Sequence, residues 1–204
     1  MWRKVKTFVR NRPCLLRLAA PFYIQPAQMW GTQAVTLRQL AEGAVAGKKT
    51  FNALEIGSWC GCSTVILGAV VRGHGRLVCV DWWRGEGDDH NAAASAHRDI
   101  FRVFWRLVSR AGLANVVVPM RGRSDVVLPM LMARQFDFIF IDGGHDYETV
   151  LHDIRQAKRL IKRGGMICGH DFSTLPCHAG VVQAVRQMFK SFEVEDDIWW
   201  KLQQ

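Results

Sequence analysis

Ala53-Leu54-Glu55-Ile56-Gly57-Ser58-Trp59-Cys60-Gly61-Cys62-Ser63-Thr64 is the stretch on which the fold turns. A short apolar run stops at Gly57, a loop spans Gly57 to Gly61, and Ser63-Thr64 stand where a helix cap belongs. The reading is strand, glycine loop, helix start. Glycine has no Cβ and accepts φ > 0, so such a loop lets backbone approach a ligand closely. A dinucleotide fingerprint asks for G-x-G-x-x-G. This chain has G-x-x-x-G instead, with an acid, Glu55, two residues ahead of the first glycine.

Downstream the pattern alternates. Strand-like runs are 53–57, 76–81, 116–120, 136–142 and 166–169, and helix-like runs are 63–71, 93–111, 125–133 and 148–161. Gly112 and Gly164-Gly165 stand where helices stop. Alternation of this kind implies an α/β fold with parallel pairing and helices on both faces. Phe138-Ile139-Phe140-Ile141 is apolar throughout, as a central parallel strand is. Residues 181–189 and 192–202 read as a last helix and a C-terminal antiparallel hairpin. Pro13, Pro21 and Pro26 break residues 1–46 into helical and irregular pieces. No repeat or linker is visible. The expectation is one domain, with 1–46 as an N-terminal helical segment of it and 47–204 as its body.

The chain has 204 residues and is 49% hydrophobic, enough to bury a core. No apolar run reaches the length of a membrane span. Arg17 and Pro21 interrupt the run after Cys14-Leu15-Leu16, which argues against a signal peptide. A cytoplasmic protein is expected. Its cysteines (14, 60, 62, 79, 168 and 177) form no C-x-x-C pair and read as reduced apolar fillers. Of the net charge of +9, six positive charges sit on Arg3, Lys4, Lys6, Arg10, Arg12 and Arg17 with no acid among them. This tail reads either as a solvated amphipathic helix or as a contact for an anionic surface.

Several residues fall at strand ends, where open α/β sheets bind ligands. Asp81 closes the second strand and is placed to accept both hydroxyls of a ribose. Ser124-Asp125, after the third strand, is placed to cap the next helix. Asp142-Gly143-Gly144-His145 and Gly169-His170-Asp171 each follow an apolar strand. Adjacent parallel strands lie about 4.8 Å apart, so Asp142 and His170-Asp171 converge. Two carboxylates and an imidazole at one point need a cation or protons. Three readings stay open: a divalent-cation site suited to Mg²⁺ or Mn²⁺, a helix cap at Asp171 supported by His170, or a metal-free acid–base site. Arg84–Ala96 reads as a lid or a surface loop. Trp30, Trp82, Trp83 and His178 are candidates for a pocket wall, with a place in the buried core the safer reading for any single one.

With these residues in view, 50–202 resembles the class I S-adenosylmethionine (SAM) methyltransferases. It is most similar to the catechol-type O-methyltransferases and to a bacterial group, methyltransferase 24-like, that methylates sugars of antibiotics and glycolipids. Leu54–Ser63 looks like the catechol-type first motif, and Arg121–Pro129 like the adenine segment. Phe136–Tyr147 and Gly164–Asp171 look like the sugar-methylating group. The resemblance implies a Rossmann-like, doubly wound, seven-stranded sheet, mostly parallel with a C-terminal antiparallel hairpin. It implies that Glu55, Gly57, Ser58, Trp59, Gly61 and Ser63 line the SAM methionine and ribose, with Asp81 on the ribose hydroxyls and Trp82 beside it. Ser124 and Asp125 take the adenine, and Asp142 borders the cofactor. Asp142, His170 and Asp171 fall where metal ligands occur; the catechol enzymes carry Asp, Asp, Asn there, so His170 departs from that set. A lysine three residues past the first metal Asp is replaced by His145, a general base better matched to neutral pH.

The implied activity is methylation of a small-molecule or sugar hydroxyl, with or without help from a cation. An RNA methyltransferase predicts an Asn/Asp-Pro-Pro-aromatic or Lys-Asp-Lys-Glu set, and the chain shows Asp142-Gly143-Gly144-His145 instead, so nucleic acid is disfavoured. A hydroxylase-like member of the superfamily and a non-catalytic SAM-binding protein would carry the same strand-end residues, and both stay open. A homo-oligomer is left open too.

Overall fold

The computed structural model describes Met29, residues 31–85 and residues 99–203. The basic tail, Trp30 and residues 86–96 of the Arg84–Ala96 segment lie outside the described residues. The elements run α1 (Gly31–Val45), β1 (Ala53–Ile56), α2 (Cys62–Val71), β2 (Leu77–Asp81), α3 (Ile100–Arg110), β3 (Val117–Arg121), α4 (Ser124–Val127), β4 (Phe136–Ile141), α5 (Tyr147–Leu160), β5 (Ile161–Gly169), α6 (Ala179–Met188), β6 (Glu193–Glu195) and β7 (Ile198–Leu202).

The strands form one seven-stranded sheet in the order β3-β2-β1-β4-β5-β7-β6. β1 through β5 pair in parallel, and β7 joins β5 and β6 antiparallel. The chain winds outward from β1 to β3, then returns to β4 on the other side. The boundary between β1 and β4 is therefore the point where strand order reverses, the place where open α/β sheets bind ligands. β4 shows why a central strand reads as unbroken apolar sequence. Phe138 and Phe140 join the core on one face, with Phe51, Leu67 and Phe104. Ile139 and Ile141 join the core on the other, with Leu151, Ile154 and Val185. Side chains alternate between faces with period two, and here both faces are covered. Each such fully buried side chain contributes roughly 1.5–3 kcal/mol.

α3 faces the core with Ile100, Phe104 and Val108, spaced one helical turn apart, and Asp99 caps it by accepting from the Arg102 N–H at 3.1 Å. α1 buries Leu37, Leu40 and Ala41 in the same layer, and its Thr36 hydroxyl donates to Asp196 at 2.7 Å in the β6–β7 turn. Among the described residues, no helix is long and apolar enough to cross a membrane.

Five local expectations are corrected. Ser63 and Thr64 do not cap α2. Gly61 holds the cap position at φ 92°, without a side-chain cap hydrogen bond, and both hydroxyl residues lie buried inside the first turn. Ser124-Asp125 does not cap α4 either: Arg123 is the cap residue, and Asp125 is turned back onto its guanidinium at 3.1 Å. The expected helix 125–133 ends at Val127 and passes into a 3-10 turn at Leu128–Met130, because Pro129 has no N–H to continue the ladder. Gly164-Gly165 is not a helix stop. α5 ends at Leu160, and both glycines lie in β5, where the Gly164 N–H donates to the Gln203 carbonyl at 2.8 Å. Among the described cysteines, Cys79 and Cys168 are buried fillers, Cys60 is half-buried, and Cys62 and Cys177 are exposed.

Candidate active site

The glycine loop is built around one buried carboxylate. Glu55 has 0% exposure. Its Oε2 accepts from Ser58 Oγ at 2.6 Å, Thr64 Oγ1 at 2.5 Å and Cys79 Sγ at 3.3 Å. Burial outweighs these donors and raises its pKa above the usual carboxylate range. The other oxygen, Oε1, is buried without a hydrogen-bond partner. That leaves one buried acceptor at the base of the loop, with the Ser63 side chain close by, an arrangement that fits the ammonium of an amino-acid ligand.

Asp81 fastens the loop from β2. Its Oδ2 accepts the N–H groups of Ser58 at 2.9 Å and Trp59 at 2.7 Å, and its Oδ1 accepts the Trp83 N–H at 2.5 Å. Burial raises its pKa against the pull of these amides. Its own carbonyl receives the Gly122 N–H at 2.9 Å, which brings the loop after β3 alongside. Trp83 braces the arrangement. It is 2% exposed, its Nε1 donates to the Trp59 carbonyl at 2.8 Å, and its ring packs on Phe101 and Phe104 with centroids 4.8 and 4.9 Å away. It is therefore core, the safer of the two readings the sequence left for it. Trp82 is half-buried, with Nε1 donating to the Gly85 carbonyl at 2.9 Å. Trp59 and Trp83 both sit at positive φ, 40° and 54°. Bulky residues rarely adopt this, and such strain clusters at ligand sites.

Gly57 joins this half of the site to the other. Its φ is +84°, and a Cβ there would lie 2.1 Å from the Asp142 carbonyl oxygen. The Asp142 N–H donates to the Ile56 carbonyl at 2.7 Å, and the His170 N–H to the Ile141 carbonyl at 3.0 Å. The ends of β1, β4 and β5 are thus pinned together.

On the far side, His170 is 6% exposed, and its Nδ1 lies 3.3 Å from Asp142 Oδ1 and 3.2 Å from Asp171 Oδ1. Burial alone would lower its pKa. The two carboxylates outweigh it and push the imidazole up to about 10. Its Nε2 is buried without a partner. Asp171, at φ 61°, also meets His145 Nε2 at 2.9 Å through Oδ2 and His178 Nε2 at 3.3 Å through Oδ1. Burial works against its charge, yet His145 and His170 hold its carboxyl well below the usual range. The hydrogen bond to Asp171 in turn raises the pKa of His145, more than burial lowers it. One donor atom from each of Asp142, His170 and Asp171 lies within 4.8 Å of the others, close enough that the set could hold a cation.

The structure thus gathers Glu55, Gly57, Ser58, Trp59, Gly61, Ser63, Asp81 and Trp82 around the ends of β1 and β2, and Asp142, His145, His170 and Asp171 around the ends of β4 and β5, joined where Gly57 meets Asp142. Ser124 and Asp125 lie after β3, with Asp125 exposed and its pKa lowered by the Arg123 guanidinium. The reading of Asp171 as a helix cap is not met, since α6 is capped at His178. Ser173, whose Oγ lies 2.7 Å from His178 Nδ1, is a partner that sequence reasoning misses; nothing in a Ser–His separation of five residues across a proline signals it.

A family profile described as a methyltransferase domain matches residues 54–172, from β1 to the residue after Asp171. The chain belongs to that family. A catechol O-methyltransferase of Mycobacterium tuberculosis is 31% identical to this methyltransferase domain over 128 residues, 63% of the chain and 50% of that protein. The chain spans about half the length of this curated relative. Among solved structures, cofactor-bound Rv0187 from MTB is 22% identical, with a TM-score of 0.68 over 98% of this chain and 94% of that one. The O-methyltransferase TomG of Streptomyces achromogenes, involved in tomaymycin synthesis and solved in complex with SAM, is 19% identical. Its TM-score is 0.63 over 100% of this chain and 95% of that one. These two structures share the fold.

Proposed function

We propose that this methyltransferase domain moves a methyl group from SAM to a hydroxyl oxygen of a small molecule or sugar. The observation that carries the reading is the join at Gly57. It sets a glycine loop with a buried unpartnered acceptor directly against Asp142, three residues before a histidine paired to a carboxylate. SAM supplies an already electrophilic methyl, so the protein's work is to aim the acceptor oxygen, remove its proton and exclude water.

In this reading the cofactor lies along the loops that follow β1, β2 and β3. Glu55 Oε1 receives the amino group, Asp81 the ribose, and Ser124-Asp125 the adenine edge. His145 takes the acceptor proton through its exposed ring. Asp171 orients that ring and stabilises its charged form, which is why the hydrogen bond raises its pKa. The finer part of the proposal is a divalent cation, Mg²⁺ or Mn²⁺. Asp142, His170 and Asp171 would hold it, and it would lower the pKa of the acceptor hydroxyl.

Calorimetry with SAM and with its demethylated product tests the reading. Micromolar binding is expected, about −7 to −8 kcal/mol. Folded protein that gives no heat with either ligand refutes it. Turnover of labelled methyl-SAM against a pool of hydroxyl acceptors, with and without chelator, tests the cation. Full turnover in excess chelator leaves Asp142, His170 and Asp171 as acid–base groups.

A further inference from the structure

His178 has no task in that reaction, yet it is held with care. Its Nε2 faces Asp171 Oδ1 at 3.3 Å, while Ser173 Oγ holds its Nδ1 at 2.7 Å. The Leu175 N–H donates to the same Oγ at 3.3 Å and fixes the hydroxyl. The ring stands edge-on to His145, centroids 5.4 Å apart and planes inclined 65°. A close backbone approach makes this meeting possible: a Cβ on Gly180 would lie 2.4 Å from the His145 carbonyl oxygen. The start of α6 therefore seats directly on the loop that carries His145.

We propose that His145, Asp171 and His178 form a site for a borderline transition-metal cation, Zn²⁺ above all, and that filling it withdraws His145 from methyl transfer. The second half rests on the proposed role of His145 as base. One donor atom from each residue lies within 4.8 Å of the others. Two donors bound about 2.0–2.1 Å from one ion, at octahedral to tetrahedral angles, lie about 2.9–3.4 Å apart. Each imidazole already meets the carboxylate at a separation in that range, His145 Nε2 at 2.9 Å from Oδ2 and His178 Nε2 at 3.3 Å from Oδ1, one on each oxygen. Metal-bound histidines characteristically give their second nitrogen to a hydrogen-bond partner that fixes ring and tautomer. Ser173 does this for His178, and His170 Nδ1 at 3.2 Å steadies the Asp171 carboxylate.

Donor chemistry separates this set from the one at Asp142. Two imidazoles and one carboxylate suit Zn²⁺, Co²⁺ or Ni²⁺, whereas an oxygen-rich set suits Mg²⁺ or Mn²⁺. Access differs as well. The His145 side chain is 45% exposed, against 6% for His170, so an ion can enter from solvent and keep water in its remaining positions.

The test is a competition titration of ZnCl₂ against a chromophoric chelator, on the full chain with Mg²⁺ in large excess. One Zn²⁺ per chain is expected. His178→Ala should weaken binding at least tenfold, and Ser173→Ala should weaken it less. His178→Gln, which keeps bulk and polarity, serves if the alanine variant melts. A Cys60→Ser/Cys62→Ser double variant should bind as the wild type does; loss there would move the ion to the thiols and overturn the assignment. Equal zinc affinity in wild type and folded His178 variants would overturn it too. In methyl-transfer assays, zinc should inhibit the wild type, and His178→Ala should need at least tenfold more zinc for the same fractional loss of its own zinc-free rate. Zinc that binds without inhibiting would sink the second half alone. Heat from SAM binding, measured separately, keeps the methyltransferase reading independent of all these outcomes.

Discussion

Asp81 and His145 each carry two loads that a single-residue reading separates poorly. An acid at the end of β2 reads as a ribose contact, outside the core. In the folded chain it also anchors three backbone N–H groups from two loops. Asp81→Ala should therefore weaken SAM binding by about 1.5–3 kcal/mol and also cost stability of order 1–3 kcal/mol, because buried amides lose their acceptor. Calorimetry and chemical unfolding report the two effects separately; an unchanged unfolding midpoint would show that the amides find other partners. Asp81→Asn, which keeps one carbonyl, should recover part of the stability. His145→Ala should lower kcat by about 10²–10⁴ and leave SAM affinity nearly unchanged. Wild-type kcat in that variant, with a true acceptor, would move the base elsewhere.

Among elements, the β1–α2 turn is the one whose geometry is least negotiable. Gly57 and Gly73 share φ +84°, but a Cβ at Gly57 collides with Asp142 backbone and one at Gly73 meets nothing within 4 Å. The pair isolates the steric effect from the conformational one. Gly73→Ala should cost about 1 kcal/mol, the order expected for a side chain forced into the left-handed region. Gly57→Ala should cost several times more and abolish SAM binding, since the Asp142 loop must move. Equal unfolding midpoints for the two variants would show that β4 yields freely. Helix ends are the least legible elements in the sequence. Ser63, Thr64 and Ser124 have the chemistry of caps, but Glu55 recruits the Thr64 hydroxyl and Ser124 falls one residue inside its helix. Propensity describes what a side chain can do locally; a buried carboxylate nearby decides what it does.

Across the whole molecule, the sheet has a chemical edge and a structural edge. At the structural edge Asp137 is 6% exposed and is gripped by Lys162 at 2.7 Å, Lys48 at 3.3 Å and the Asn52 N–H at 3.0 Å. Burial alone would raise its pKa, but these partners together lower it. A carboxyl with a lowered folded pKa stabilises above its ordinary 3.8 and loses that contribution as pH falls through the lower folded value. Asp137→Asn should thus destabilise by about 1–3 kcal/mol at pH 7, and the gap to wild type should narrow as pH drops below the ordinary value of 3.8. Urea unfolding at both pH values checks this, and a gap that stays constant would rule the linkage out.

Periodicity and glycine placement alone determined the order of elements, the parallel sheet and the strand ends where chemistry gathers. Period-two and helical patterns report burial on each element, and burial is what a sequence encodes most directly. Asp142, His170 and Asp171 were legible as a cluster for the same reason: each follows an apolar strand, and neighbouring strands are closely spaced. Only the tertiary structure decided how the side chains pair. It turned Ser58, Thr64 and Cys79 onto Glu55, made Trp83 core, and brought His178 and Ser173 to Asp171 through the seating of Gly180 on the His145 loop. Those pairings join residues from different strands, helices and loops over distances of a few ångströms. No spacing along the chain specifies them, because they are set by how packed elements approach one another.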